Sequence, residues 1–192
     1  MRKVFLSALL FAGVFFAATA QENSKWLGGT ISLSGQSNGQ TQTSTTIMPE
    51  FGINTGEPWA FGGRVGFSTD KTVTGGDTRR VNTTSLVPFA RYTFGEVAGF
   101  SVFGQGELPL NFYGGKHYDG SSMEGSTSIG FRVRPGINYS FTERFGFNMY
   151  MPSLLSFVNN SSGGSTYRIG VNDGYTIQNY LLNTSIGFIY MF

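Results

Sequence analysis

Residues 182–192 read Leu-Asn-Thr-Ser-Ile-Gly-Phe-Ile-Tyr-Met-Phe. In an extended chain successive side chains point to opposite faces, so Leu182, Thr184, Ile186, Phe188, Tyr190 and Phe192 share one side. Asn183, Ser185 and Gly187 share the other, where Ile189 and Met191 interrupt the polar run. A period of two with one bulky apolar face predicts a β-strand.

The same alternation recurs upstream. Ile47, Pro49, Phe51 and Ile53 oppose Thr46, Met48, Glu50 and Gly52. Phe61, Val65 and Phe67 oppose Gly62, Arg64, Gly66 and Ser68. Ile129, Phe131, Val133, Ile137 and Tyr139 oppose Ser128, Gly130, Arg132, Arg134 and Asn138. Strands are expected near 25–34, 45–54, 60–69, 81–94, 100–113, 126–140, 145–157 and 178–192. Most span about ten residues, the length a tilted strand needs to cross a bilayer.

The connections alternate in kind. Segments 55–59, 95–99 and 141–144 are short, whereas 35–44, 70–80, 114–125 and 158–177 are long, polar and rich in Gly, Ser, Thr and Asn. An up-and-down antiparallel barrel with short turns at one rim and long loops at the other has this rhythm. The fold expected is therefore all-β, a transmembrane barrel of eight strands. Ten is the alternative count. It arises because Tyr167, Ile169 and Val171 alternate before Asn172-Asp173-Gly174, after which Tyr175 and Ile177 resume. Asp-Gly between alternating apolar residues signals a hairpin, read here as projecting from the fourth loop. Pro49, Pro88 and Pro135 recur in like positions and predict bulges or missing ladder bonds, since proline cannot donate.

The chain's start reads as a secretory signal. Arg2 and Lys3 precede an apolar run from Val4 to Phe16, and Ala18-Thr19-Ala20 offers the small residues a signal peptidase reads. The expected organisation is a signal peptide at 1–20 and one barrel domain at 21–192. Without Arg2 and Lys3 the 13 Lys and Arg fall to 11, which equals the 11 Asp and Glu. A neutral mature chain gives no basis for a nucleic-acid partner. With no Cys and one His, neither a disulfide, a thiolate metal site nor a multi-histidine site is expected, and no cofactor motif is present.

Charged residues are 12% of the chain, about half the usual share, while aromatics reach 16%. Beyond residue 20 no apolar run approaches a spanning helix. A lipid-facing chain without such a helix must close its backbone bonds in a barrel. The apolar face should then point outward. Glu50, Arg64, Arg91, Glu107, Arg132 and Arg134 fall mid-strand on the opposite face, while Phe67, Tyr92, Phe94, Phe100, Phe112, Tyr139 and Tyr190 lie toward strand ends, as interfacial girdles require. A turn centred on Glu57 sets Glu50 opposite Arg64, and a symmetric 114–125 loop sets Glu107 opposite Arg132 and Leu108 opposite Phe131. Both registers keep polar with polar. Because buried charges persist when paired, an internal Arg–Glu network of those six residues is expected.

Phe188, Tyr190 and Phe192 form the alternating aromatic ending by which many outer-membrane barrels are recognised for insertion. With the signal segment and strand rhythm, the chain resembles the small outer-membrane β-barrel families: the OmpA transmembrane domain, OmpX-like and OmpW-like proteins. The resemblance is one of pattern over the full length. It implies a Gram-negative outer-membrane location and insertion by the barrel-assembly machinery; outer-membrane lipid and lipopolysaccharide are the expected surroundings, and a monomer is expected. It implies no particular activity.

Three function classes remain. An eight-stranded barrel has a lumen just wide enough for side chains, so a plugged, non-enzymatic barrel with a structural or surface-interaction role leads. A lipid A-modifying enzyme is the second, because such barrels use a His with a Ser and an acid; His117, Asp119, Ser121, Ser122 and Glu124 cluster in the third loop. That cluster also suits an ordinary polar loop, and no catalytic residue is assigned. A small-solute pore is the third, with Leu154, Ile189 and Met191 on its nominal inner face.

Overall fold

The computed structural model describes residues 25–37, 40–170 and 184–192. The expected signal segment at 1–20, the turn at 172–174 and the first part of the expected last strand lie outside them. Eleven strands are present among the described residues: β1 (Lys25–Ser37), β2 (Thr41–Asn54), β3 (Trp59–Thr74), β4 (Asp77–Val97), β5 (Phe100–Glu107), β6 (Leu110–Lys116), β7 (Ser126–Ser140), β8 (Phe145–Tyr150), β9 (Leu155–Asn160), β10 (Ser165–Ile169) and β11 (Ser185–Met191).

Eight of them close a ring. Each of β1, β2, β3, β4, β5, β7, β8 and β11 pairs antiparallel with the next, and β11 returns to β1 through Trp26↔Met191 to Thr30↔Gly187. The seam is completed beyond the ladder, where Lys25 and Phe192 exchange backbone hydrogen bonds of 3.2 and 2.9 Å. The other three strands extend the wall. β6 continues β5 along β4, β9 continues β8 along β7, and β10 folds back on β9.

Proline explains the divisions. Pro109 separates β5 from β6, and Pro152 lies between β8 and β9, as expected of a residue that lacks the ladder donor. The three prolines singled out in the sequence mark irregularities of differing kind. The β2–β3 ladder is interrupted between Ile47↔Phe67 and Glu50↔Arg64, beside Pro49. Pro88 stays paired with Gly63, and its carbonyl accepts the Leu108 amide (3.0 Å) where the neighbouring strand breaks. At Pro135 two residues of β7 face the four of segment 151–154. A further bulge falls between Thr93 and Gly95, where the Thr93 amide donates to the Pro58 carbonyl at 2.8 Å.

The long loops are where the structure departs from expectation. Strands β3 and β4 run on to the Gly75-Gly76 turn, whose φ values of 60° and 96° suit glycine. β1 and β2 likewise reach Ser37 and Thr41. The described part of the fourth loop includes strand: β9 reaches Asn160, and Tyr167 pairs with Phe157 across a tight turn. So 165–169 prolongs the wall beside β9; the turn and second arm of the expected hairpin lie outside the described residues. Polarity was the misleading signal. Segments 41–46 and 69–74 are rich in Thr, whose branched Cβ favours strands, and a strand wet on both faces has no apolar alternation to betray it.

Outside, nine positions from Trp59 to Phe67 carry exposed Trp59, Phe61, Val65 and Phe67; beyond them come Thr69 and Lys71. Exposed apolar residues continue around the ring through Leu27, Ile47, Leu86, Val102, Phe112, Ile129, Phe157 and Phe188. At the short-turn rim the aromatics touch. Trp59 meets Tyr92 at 5.0 Å between ring centroids and Tyr92 meets Phe94 at 5.2 Å; Phe100 stacks on Tyr139 at 4.2 Å, and Phe145 meets Tyr190 at 5.1 Å. Inside, Trp26, Ala60, Phe89 and Ile189 form a buried apolar cluster with Met191 against it.

Candidate functional site

The lumen holds the chain's buried chemistry. Glu50 stands opposite Arg64 in the β2–β3 register, and Glu107 opposite Arg132 in the β5–β7 register. Strand alternation turns all of them inward. Glu107 has no solvent exposure and takes three guanidinium groups: Arg64, Arg132 and Arg134 (Nε, 2.7 Å). Gln105 Nε2 also donates to it at 2.7 Å. Glu50 accepts from Trp26 Nε1 and Arg91 Nη2, each at 3.0 Å, and from the Tyr150 hydroxyl; Arg64 Nε lies 3.8 Å away. The six charged residues singled out in the sequence thus meet in one network.

Four further members carry no charge and are not among the residues expected from the sequence. Gln105 bridges the two halves, accepting from Arg91 Nε at 2.9 Å while donating to Glu107. Tyr150 accepts from Arg91 (2.9 Å) and Asn148 (3.1 Å) and donates to Glu50. Trp26 supplies the indole donor. Their signal was available in part, since Gln105 lies two residues from Glu107 and Asn148 two from Tyr150, hence on the same faces. Trp26 and Tyr150, read by polarity alone, look like outward aromatics.

Arg91 is also enclosed by rings. Its guanidinium carbon lies 4.1 Å from the Phe103 centroid, 5.0 Å from Trp26 and 5.5 Å from Phe89, distances at which the aromatic face attracts a cation. The network therefore carries four guanidinium groups and two carboxylates among the described residues, a net positive interior. Arg134 Nη2 is buried without a hydrogen-bond partner.

Two cavities touch this network, one through Arg132 and one through Arg91, and share no lining residue. One, of about 650 Å³, opens at the short-turn rim between Trp26, Glu57, Trp59, Glu96 and Ser140, with Arg91 and Phe103 in its wall. The other, of about 290 Å³, lies by β9 and β10 and includes Arg132, Ser156 and Arg168. Of the apolar residues considered for a conducting path, Ile189 belongs to the buried cluster and Met191 packs half-buried against it, whereas Leu154 is exposed in the irregular stretch after Pro152. Phe188, Tyr190 and Phe192 point outward from the seam.

The His117 cluster makes a turn. Asp119 Oδ1 accepts from the Ser121 hydroxyl (2.6 Å) and the Ser121 amide (2.9 Å), and the His117 amide donates to the Ser121 carbonyl (2.9 Å). The Ser121 hydroxyl, then its amide, hold the Asp119 carboxyl below the usual aspartate range. A serine whose proton is directed at a carboxylate is not poised against an imidazole base. Replacing His117 with Ala is expected to leave lipid A unaltered by mass spectrometry; a changed acyl pattern would support the enzyme reading.

No family model matches the chain, and no curated protein matches it. Among solved structures it is similar to Neisserial surface protein A (17% identity, 88% of this chain and 92% of that one, TM-score 0.42). It is also similar to the β domain of the Bordetella autotransporter BrkA (13%, 77% and 65%, 0.41) and to a major outer membrane protein of Thermus thermophilus (12%, 90% and 100%, 0.45).

Proposed function

We propose that the chain is an integral outer-membrane β-barrel protein of the Gram-negative envelope, exported by cleavage after residue 20. Its role is structural or surface-interacting, not enzymatic, and its lumen is closed to solutes. The observation that carries this reading is an inversion of polarity across one closed wall. Phe61, Val65 and Phe67 are exposed while Glu50, Arg64 and Glu107, behind the same wall, are buried. In water so large an apolar surface invites association. In a bilayer the hydrocarbon solvates it, and ring closure leaves the wall no free edge at that level. The nine positions from Trp59 to Phe67 fit the length of a spanning strand, and the rim aromatics fit an interfacial girdle.

In barrels of this kind the short turns are periplasmic, so the hairpins β1–β2 and β3–β4 would stand outside. β4 has 21 residues, roughly 70 Å of extended chain, well beyond a hydrocarbon core of about 30 Å even when tilted. These hairpins carry Thr, Ser and Gln toward lipopolysaccharide. Closure of the lumen is supported by the Glu50–Glu107 network, touched by two cavities with no lining residue in common. The chain acts as a monomer, and the barrel-assembly machinery inserts it on Phe188, Tyr190 and Phe192.

One preparation tests the reading. The protein is expected in the membrane fraction, with different gel mobility unheated and boiled, and with a mass beginning at Gln21. In planar bilayers it is expected to give no conductance above leak. A soluble protein without a mobility shift would overturn the membrane assignment, and sustained conductance would overturn the closed lumen.

A further inference from the structure

We propose that the cavity beside β9 and β10 is a binding site for a phosphate-type oxyanion, held between Arg132 and Arg168. The register builds it. Glu107 pairs with Arg132, Arg132 with Ser156, and Ser156 with Arg168, a single row across β5, β7, β9 and β10. Cross-strand neighbours share a face, so two guanidinium side chains flank one serine on the lumen side. Adjacent strands lie about 4.8 Å apart, which sets the two arginine Cα atoms about 10 Å apart. Two long side chains can converge across that gap on an anion over Ser156.

The charges of the two arginines are unequally used. Arg132 donates Nε to Glu107, and no hydrogen bond among the described residues uses its terminal nitrogens. Its side chain is 31% exposed, unlike its fully buried partner. Arg168 has neither a hydrogen bond nor an ion pair among the described residues. Glu107 already answers Arg64, Arg132 and Arg134 together, and Arg134 Nη2 has no acceptor. An anion at this end would offset that excess.

The walls suit an oxyanion with several acceptor oxygens. Ser153, Ser156 and Thr166 supply hydroxyl donors beside Pro109 and Val158, and Arg168 reaches the site from an exposed strand. Guanidinium forks match phosphate oxygens two at a time. A volume of about 290 Å³ admits inorganic phosphate or the headgroup of a phosphomonoester lipid. The chemistry is the same for both sources. The proposal requires the barrel wall and its register, and is independent of whether the barrel conducts or where it resides.

The test is titration calorimetry on the folded chain in phosphate-free dodecyl maltoside, with inorganic phosphate in one arm and short-chain phosphatidic acid in the other. Saturable binding in either arm supports the site and identifies its source. Arg168→Gln lies outside the Glu107 network and is expected to weaken binding about ten- to hundredfold, the loss of one charged hydrogen-bonding partner. Ser156→Leu, which fills the slot without altering charge, is expected to do the same. An unchanged shift between unheated and boiled gel mobility verifies that each variant is folded. No saturable binding in either arm overturns the proposal. So does binding undiminished in both variants, or displacement of phosphate by an equal concentration of chloride, which would mean diffuse attraction only.

Discussion

Replacing Glu107 with Gln is expected to abolish the folded barrel. The substitution keeps the volume and removes one charge. That charge is the counter-ion of Arg64, Arg132 and Arg134, and it is wholly buried. Breaking one buried pair by removing a partner costs about 3–5 kcal/mol, because the remaining ion keeps its desolvation without its attraction. Here three cations are left in one lumen, against a total stability of about 5–15 kcal/mol for a typical domain. Arg132→Gln should be much milder, since its side chain is partly hydrated and its loss reduces the positive excess. The second change that matters is Arg134→Met in the Glu107→Gln background. Removing one of the stranded cations should restore part of the folded fraction. Urea unfolding in detergent, followed by the unheated gel band, measures all three. A Glu107→Gln barrel with the parental midpoint would show that the ion network contributes little.

Gly52→Ala should be nearly as damaging, for a reason of space. Trp26 lies across Gly52 in the β1–β2 register, and its indole covers the glycine so closely that an added Cβ would overlap the ring atoms. The ring cannot yield freely, because its Nε1 donates to Glu50 and its face receives the Arg91 guanidinium. Overpacking a core commonly costs about 1–3 kcal/mol; displacing Trp26 adds the loss of a charge-assisted bond of about 1.5–3 kcal/mol. Gly114→Ala is the matched control, since a Cβ added there would meet nothing within 4 Å. The expected order of unfolding midpoints is parent, then Gly114→Ala close by, then Gly52→Ala far below. Equal midpoints for the two alanine variants would remove the packing argument.

Much of this was legible in the residues. Where one wall separates two media, alternation is strong, so Phe61, Val65 and Phe67 announced their side, and Glu50 and Arg64 announced both the lumen and the register. The β4–β5 turn, at 98–99, was legible from its position between alternating runs. What was hidden lay where the two media are alike. β1–β2 and β3–β4 continue into water on both sides, so Thr41–Thr46 and Thr69–Thr74 show no period of two and resemble loop composition. The neutral members of the lumen were hidden for another reason. Gln105, Tyr150 and Asn148 act by geometry that only the folded ring supplies, whereas an isolated charge mid-strand demands a partner wherever it sits. The row from Glu107 to Arg168 depends on β9 and β10, whose pairing the polar composition of 158–169 concealed.

The seam between β1 and β11 has a consequence for the order of folding. Lys25 and Phe192 are bonded neighbours in space and nearly the whole chain apart in sequence. The hairpins β1–β2 and β3–β4 form from local contacts, but β1 keeps an unsatisfied edge until β11 arrives. Contacts of such long sequence separation are slow, since the entropy of closing the intervening loop is lost before any bond is gained. Every intermediate short of closure exposes that edge, with Leu27 and Ile31 beside it, as a template for a foreign strand. The interval between synthesis of β1 and docking of β11 is therefore when this chain is most open to pairing with a foreign strand.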